Sequence, residues 1–258
     1  MGEVIHRRAI GVHAALLEID NPPANVLGRV ARDEMLAHLS ALDADANIRA
    51  IVITGKGKAF CSGDDLKEQQ AAQAGGIGAR SAQLGEFAKV LAKIEAFRAP
   101  VIAAINGFSI GGGLELALCC DIRIASTQAS FICAAVNVGL IASAWRLPRL
   151  IGEGAAKHML LTGSPFDAAQ AEKFGLVTAV HAPEALIDAV SALIERIASR
   201  APLSVEAAKR VASRAHDLDA AEGGRAMNEE VLRLVRTTDH AEALAAFREK
   251  REPRFTRR

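Results

Sequence analysis

The chain has 258 residues, half of them hydrophobic, and a formal net charge of +1 at pH 7. This length allows a full hydrophobic core in one large domain, or in a domain with an appendage. A nearly neutral chain lacks the basic excess typical of nucleic-acid binding, and no apolar run reaches the ~18 residues of a membrane helix. We therefore predict no nucleic-acid and no membrane partner.

Cysteine and histidine usage gives further expectations. The adjacent residues Cys119 and Cys120 and the lack of a Cys-x-x-Cys pair do not suggest a disulfide framework, so we expect reduced thiols. Charges at Glu3, Arg7 and Arg8 argue against a signal peptide, and a cytoplasmic protein is predicted. The seven histidines are scattered along the chain, and we predict no metal site.

Short apolar runs alternate with helical patterns in the first part of the chain. Such runs predict strands, and apolar residues at helical spacing predict helices. The predicted elements are strands at 12–19, 50–54, 101–105 and 121–125, and helices at 30–42 and 114–120. Strands connected by crossover helices are typical of an α/β fold.

Beyond about residue 183, strand signals stop. Helical patterns cover 185–198, 204–215, 220–234 and 241–250, with a break at Ala201-Pro202. The sequence therefore predicts an α/β core followed by an all-helical C-terminal end.

A glycine-rich turn follows the predicted strand at 101–105. Residues 105–116 read INGFSIGGGLEL, with three consecutive glycines before a predicted helix. Glycine lets a ligand approach the backbone closely, and the first N–H groups of a helix lack intrahelical partners. Such a turn can bind an anion or stabilise an oxyanion. The alternative is close helix–strand packing with no ligand, and the glycines alone leave both interpretations open.

A second glycine turn follows the strand at 50–54. Residues 57–68 read GKAFCSGDDLKE, in which Gly63 exposes backbone and Asp64 or Asp65 is suited to cap a following helix. Alone, this segment favours a surface loop with a capped helix.

Together the two turns resemble the motifs of the enoyl-CoA hydratase/isomerase (crotonase) family. The first motif stands as Ser62-Gly63-Asp64-Asp65-Leu66, and the second spans 106–116. Further family-like stretches follow the same order: Asn21-Pro22-Pro23-Ala24-Asn25, Arg149-Leu150-Ile151-Gly152, 171–177 and 247–251. The resemblance implies a spiral of ββα units at 1–198. It also implies a C-terminal helical region at 199–258 that builds homotrimers or homohexamers and completes a coenzyme A (CoA) site.

The resemblance also implies where an acyl-CoA substrate binds. The backbone N–H groups of Asp64 and Gly112 correspond to the family's oxyanion hole, which holds the thioester carbonyl as an enolate forms. CoA and acyl contacts are implied at Ala24, Ser62, Asp65, Leu66, Gly111, Ala135, Ser143, Phe247 and Lys250. Phe247 and Lys250 correspond to positions that often approach the nucleotide from a neighbouring subunit. No cofactor is implied beyond the CoA of the substrate.

Only one of the two family glutamates is present. Glu115 matches the first and is predicted to be the acid/base; the alternative is a charge that only complements the helix dipole. Ungapped alignment places Ala135 at the second, and Cys133 beside it is no substitute. Ser143 stands near where some isomerases carry an acid.

The resemblance therefore predicts an enoyl-CoA hydratase/isomerase-type enzyme, with the reaction itself left open. The alternatives are isomerisation, decarboxylation, thioester hydrolysis, or a weakly catalytic acyl-CoA-binding protein. Trp145 and Arg146 are suited either to line the pocket or to anchor a helix.

Overall fold

A computed structural model describes residues 2–258. The strands are β1 (Ile5–Ala9), β2 (Ala14–Ile19), β3 (Ala50–Gly55), β4 (Ala59–Cys61), β5 (Val101–Ile105), β6 (Phe108–Ile110), β7 (Ile122–Ser126), β8 (Ser130–Ile132), β9 (Phe166–Asp167) and β10 (Ala179–His181). The helices are α1 (Arg29–Ala44), α2 (Leu66–Ala74), α3 (Ile77–Glu95), α4 (Gly112–Cys119), α5 (Arg146–Thr162), α6 (Ala168–Lys173), α7 (Leu186–Ala198), α8 (Pro202–Ala212), α9 (Ala220–Leu234) and α10 (Thr238–Glu249).

The strands form two sheets. The larger has the order β1-β2-β3-β5-β7-β10, and the smaller has the order β4-β6-β8-β9. Strands β3 and β5 are buried along their whole length and pair in parallel, with Ile51 opposite Val101. Their continuous β-branched and apolar sequences suit strands covered on both faces.

A ββα unit recurs along the chain without a matching sequence repeat. Strands β3, β5 and β7 of the larger sheet are each followed by a short strand of the smaller sheet, β4, β6 or β8, and then by a helical segment. The predicted α/β spiral is confirmed. Because β4 and β6 pair in parallel, the turns that follow them lie side by side.

The structure agrees with the predicted elements where the sequence pattern is strong. Strands β2, β3, β5 and β7, and helices α1, α4 and α7 to α10, coincide with the predicted ranges to within a few residues. The sequence patterns do not indicate α3 or the short strands of the smaller sheet. These strands have two or three residues, too few to show an alternation.

The last three helices follow α7, which packs on the larger sheet. The predicted boundary at residue 198 coincides with the end of α7. Whether the two parts are separate units stays a prediction. Within residues 2–258, every helix is too short or too polar to span a bilayer.

A buried carboxylate attaches the C-terminal tail to the core. Glu206 on α8 is 4 % exposed and accepts hydrogen bonds from Arg98 Nη1 (2.9 Å) and from Arg257 Nε (2.8 Å) and Nη2 (3.1 Å). Burial opposes the charge on Arg257, but the hydrogen bond to Glu206 raises the pKa of that guanidinium overall.

Glu206→Ala is therefore expected to lower the free energy of unfolding by about 3 kcal/mol, because it leaves two guanidinium groups without their shared partner. Urea denaturation measures this loss. Glu229→Ala on the exposed part of α9 is the control, with an expected change within about 0.5 kcal/mol. Equal losses in both variants would show that the Glu206 cluster contributes no more than a surface residue.

Candidate active site

The two glycine turns meet at the carboxyl ends of β4 and β6. Gly63 adopts φ +85°, and a Cβ built on it would lie 2.6 Å from both Cα and N of Gly112. A Cβ on Gly112 would in turn lie 3.0 Å from Gly63 Cα. Only glycine permits this backbone contact, which brings together the two segments that the sequence separates by nearly fifty residues.

Two backbone N–H groups lie next to each other at this contact. A Cβ on Gly112 would lie 3.4 Å from the amide nitrogen of Asp64. Among residues 2–258, no carbonyl accepts a hydrogen bond from Asp64 N–H. Gly112 is the first residue of α4, where N–H groups lack intrahelical partners. Two backbone donors without protein acceptors at one turn are the type of group that can stabilise an oxyanion.

Gly111 and Phe87 fix the position of Gly112. Gly111 adopts φ +52° before the helix and donates its N–H to Ile132 O at 3.0 Å. Phe87 of α3 is buried, and its Cζ would lie 2.9 Å from a Cβ on Gly112. The ring therefore packs closely against the start of α4.

Glu115 lies in the first turn of α4 and is 8 % exposed. Its Oε2 accepts a hydrogen bond from Arg146 Nη1 at 2.8 Å, whereas Oε1 makes no hydrogen bond among residues 2–258. Arg146 also donates to both oxygens of Glu95, at 2.7 and 3.2 Å. Burial opposes its charge, but the hydrogen bond to Glu95 and the surrounding anions raise the pKa of Arg146. Arg146 therefore holds one oxygen of Glu115 and leaves the other free.

Trp145 and Arg146 were suited either to line the pocket or to anchor a helix, and Arg146 has features of both. Arg146 is the first residue of α5, and its guanidinium lies 5.2 Å from the ring centroid of Trp145. Trp145 itself is 60 % exposed. Arg146 thus begins a helix and also contacts the candidate acid/base, whereas Trp145 lies at the surface.

The Cys133 thiol lies near Glu115, and the Ser143 hydroxyl lies near that thiol. Burial, with the charge of Glu115, raises the pKa of the Cys133 thiol to about 12, and the nearby Ser143 hydroxyl acts in the opposite direction. Ser143 is 5 % exposed, adopts φ +61°, and its Oγ makes no hydrogen bond among residues 2–258. Ala135 lies in the following 3-10 turn, Ala134–Val138, and adds no titratable group.

Four of the predicted substrate contacts, Ala24, Ser62, Asp65 and Leu66, lie in or next to the glycine turn that contains Gly63. Ser62 N–H donates to Ala24 O at 3.1 Å, which joins the loop before α1 to the loop after β4. Asp65 caps α2 by accepting from Lys67 N–H at 2.7 Å, as the sequence predicts for one of the two aspartates. Leu66, 70 % exposed, opens that helix.

Two further predicted contacts, Phe247 and Lys250, lie in α10 and at its C-terminal end. Phe247 is 84 % exposed, and Lys250 ends the helix with φ +54°. No hydrogen bond or ion pair in the described chain connects either residue to the first motif.

The carboxyl group of Asp64 is largely buried, which the sequence patterns do not predict. Burial raises the pKa of its carboxyl, although Arg32 and Arg80 act in the opposite direction. Its Oδ2 accepts from Gln69 Nε2 at 3.3 Å, and its Oδ1 is buried without a hydrogen bond. Ionisation of Asp64 therefore favours the unfolded chain.

Asp64→Asn is expected to raise the midpoint of thermal unfolding at pH 7.5. Because the folded-state pKa is raised, wild-type Asp64 costs stability as pH rises above its ordinary value of about 3.9. The gain from asparagine should accordingly shrink to zero near pH 4. Thermal scans between pH 4 and 8 test this, with Asp33→Asn at an exposed position of α1 as the control. A pH-independent loss of stability would contradict the interpretation.

Possible metal ligands and reactive thiols were sought among the side chains of residues 2–258. Residues 2–258 contain no cluster of three or more His, Cys, Asp or Glu side chains arranged to hold a metal. All four cysteines are buried and unpaired.

Sequence reasoning missed several residues around the turns. The contact between Arg146 and Glu115 spans 31 residues, and nothing in the local pattern pairs them. Phe87 and Gln83 lie on the buried face of α3, which was not predicted. The signal that could have found them is the helical spacing of 83, 87, 90, 91 and 94.

Comparison with known proteins places the chain in one family. The enoyl-CoA hydratase/isomerase family model matches residues 11–258. The chain is 38% identical to crotonyl-CoA hydratase of Syntrophomonas wolfei, over 93% of this chain and 94% of that protein. It is 37% identical to (E)-benzylidenesuccinyl-CoA hydratase of Thauera aromatica, over 94% of this chain and 95% of that protein.

Solved structures show the same fold along the whole chain. The crystal structure of enoyl-CoA hydratase from Bacillus anthracis superposes with a TM-score of 0.94 at 33% identity, covering 99% of this chain and 100% of that one. The match extends through the glycine turns and the C-terminal helices. The chain belongs to the enoyl-CoA hydratase/isomerase family and has the crotonase fold.

Proposed function

We propose that this protein is an enoyl-CoA hydratase that uses one carboxylate. The observation that supports the proposal is the close backbone contact of Gly63 with Gly112, at the start of the helix whose first turn carries Glu115. In the proposed complex both N–H groups bind the thioester carbonyl oxygen. They stabilise the negative charge that this oxygen gains when an enolate forms.

Glu115 performs the proton transfer in this proposal. Its free Oε1 takes a proton from water as the water oxygen bonds to the β-carbon, and the electron pair of the double bond moves toward the thioester. The same oxygen then returns the proton to the α-carbon, so that a 3-hydroxyacyl-CoA leaves and Glu115 is regenerated. Arg146 holds Oε2 at 2.8 Å and thereby orients the carboxylate.

Ser143 takes over part of the role of the absent second glutamate. Its buried Oγ has no partner and lies beside Cys133, which in turn lies beside Glu115. A hydroxyl can hold a water molecule by one hydrogen bond but cannot supply a full proton near neutral pH. Ala135 contributes no charge.

The CoA part of the substrate binds along Ala24, Ser62, Asp65 and Leu66 in this proposal. Phe247 and Lys250 reach the nucleotide from a neighbouring subunit of a homotrimer or homohexamer. The exposed apolar side chains of the C-terminal helices, at Met227, Val231, Leu232, Val235 and Phe247, support such an assembly. The reaction requires no cofactor beyond the CoA of the substrate, and the proposed location is cytoplasmic.

Isomerisation is a second candidate, favoured by the single carboxylate. One base that removes a proton from one carbon and delivers it to another suffices for moving a double bond. Hydration remains the first candidate because relatives in the family are named hydratases, including the crotonyl-CoA hydratase of Syntrophomonas wolfei.

Measuring the absorbance of the conjugated enoyl thioester distinguishes hydration from isomerisation. Hydration predicts loss of this absorbance with crotonyl-CoA and formation of 3-hydroxybutyryl-CoA, identified by mass spectrometry. Isomerisation predicts a gain of absorbance with a 3-enoyl-CoA and no mass change. Binding of acyl-CoA without either change would overturn both candidates and leave an acyl-CoA-binding protein, a decarboxylase or a thioesterase.

A further inference from the structure

The peptide group between Gly63 and Asp64 is held at its carbonyl oxygen. Gly63 O accepts a hydrogen bond from Leu27 N at 2.7 Å, and Val26 forms a parallel bridge with Gly63. In a planar trans peptide the C=O and N–H bonds point in opposite directions, so a bond that fixes Gly63 O also fixes the direction of Asp64 N–H. A hydrogen bond accepted at the oxygen also polarises the peptide and strengthens its N–H as a donor. Leu27 N–H therefore orients one of the two proposed oxyanion donors.

The loop at 21–27 that supplies this N–H is folded on itself by two asparagines. Asn25 N donates to Asn21 O at 2.8 Å, and Asn21 N donates to Asn25 Oδ1 at 3.1 Å. Asn21 Nδ2 donates to Val26 O at 2.8 Å. These bonds join Asn25 to the residues immediately before Leu27, so a displacement of Asn25 also displaces the Leu27 N–H.

The side chain of Asn25 attaches the 21–27 loop to the segment that leads into β4. Asn25 is 2 % exposed, and its Nδ2 donates to Ala59 O at 2.7 Å and to Lys56 O at 3.0 Å. Both partners are carbonyl oxygens, which only accept, so the nitrogen of the amide must face them. Asn25 adopts φ +54°, a left-handed conformation in which asparagine is enriched. A Cβ on Gly55 would lie 2.7 Å from Nδ2, so the amide fills space that glycine leaves.

We propose that Asn25 is a positioning residue for the oxyanion hole. Its amide holds the 21–27 loop at Ala59, the first residue of β4, and Leu27 N–H holds the turn that follows β4. The first motif is thereby fixed at both ends of its strand. Asn25 touches no substrate in this account and acts through the direction in which Asp64 N–H points. The inference rests on the proposed function, because it concerns the same oxyanion hole.

Asn25→Gly tests this role, because glycine keeps the left-handed backbone and removes the amide. With crotonyl-CoA, kcat is expected to fall roughly 10- to 100-fold, since a misplacement of about 1 Å can cost up to a hundredfold in rate. Infrared spectra of bound butyryl-CoA with an isotopically labelled carbonyl report the hole without turnover. Hydrogen bonds to this oxygen lower the C=O stretching frequency, and Asn25→Gly should lose most of the lowering seen with wild type.

Two control variants separate this effect from a general loss of stability. Asn47→Gly removes an exposed loop asparagine whose amide donates to Asp45 Oδ1, and it should retain kcat and the carbonyl frequency of wild type. Glu206→Ala is expected to lose stability through the C-terminal tail, far along the chain from both glycine turns. It should likewise retain the carbonyl frequency and kcat at a temperature where it is folded.

Failures of the inference and of the proposed function are distinguishable. A wild-type carbonyl frequency in folded Asn25→Gly would overturn only the inference, whether or not kcat falls. Equal losses in Glu206→Ala would also overturn it, because lowered stability would then be the cause. If wild type neither lowers the frequency nor turns over crotonyl-CoA, the proposed function fails as well. Asn25→Asp, which keeps the Oδ1 acceptor and lacks the NH2 group, replaces Asn25→Gly if thermal unfolding shows that the glycine variant is not folded.

Discussion

Glu115→Gln is expected to lower kcat by about a hundredfold or more, because general acid–base catalysis contributes roughly 10²–10⁴ in rate. Glutamine keeps the size of the side chain and an oxygen that can accept from Arg146. It cannot carry a proton from water to the α-carbon. KM should change by less than about threefold, because the CoA contacts and the two N–H donors are untouched. Steady-state kinetics with the best enoyl-CoA substrate measures both constants.

Glu95→Gln is the matched control, because Glu95 lies at the other end of the same guanidinium. Arg146 donates to Glu95 at 2.7 Å and to Glu115 at 2.8 Å, so both variants alter one ion pair of the chain. Loss of activity in Glu115→Gln alone would identify proton transfer as the cause. Equal losses in the two variants would instead show that Glu115 serves only to hold Arg146 in place, and the proposed role would be wrong.

Gly63→Ala is expected to lower kcat by about 10²–10³, the effect of losing one oxyanion donor. The added Cβ would lie 2.6 Å from Gly112 Cα and N, and both are backbone atoms that cannot rotate away. The two turns must therefore separate, which pulls apart the N–H groups of Asp64 and Gly112. Strain at φ +85° adds a stability cost on the order of 1–3 kcal/mol.

Gly57→Ala separates backbone strain from the effect on the turns. Gly57 has φ +75°, similar to Gly63, but a Cβ there would meet no atom within 4 Å. This variant should lose stability without losing activity. The measurements are kcat for enoyl-CoA turnover, thermal unfolding, and calorimetric binding of butyryl-CoA. Full activity in folded Gly63→Ala would contradict the proposed oxyanion hole.

Much of the fold could be predicted from local sequence. Strands β3 and β5 are continuous apolar runs that end at glycine or asparagine, and this pattern arises because both faces of a central parallel strand are covered. The C-terminal helices have helical spacing along their whole length. The candidate turns were recognisable because a close backbone contact tolerates only glycine, and glycine is visible in the sequence.

Other features depend on packing between distant segments. Pairing of β4 with β6 aligns the two turns, yet each strand has only three residues and no periodicity of its own. Helix α3 was missed, and with it the placement of Phe87 against Gly112. Local sequence patterns do not show which segment packs against a given face of a helix.

By itself, the sequence determined the α/β class and the helical C-terminal end, because buried strands and amphipathic helices constrain residue type locally. The spiral and the family followed from the resemblance of the two glycine motifs to a known family. The tertiary structure alone decided that Arg146 holds one oxygen of Glu115. It likewise decided that Asp64 and Gln83 each retain a buried atom without a partner. Hydrogen-bond pairing between residues far apart in the chain is fixed by how the elements pack, and neither partner's neighbours in sequence reveal it.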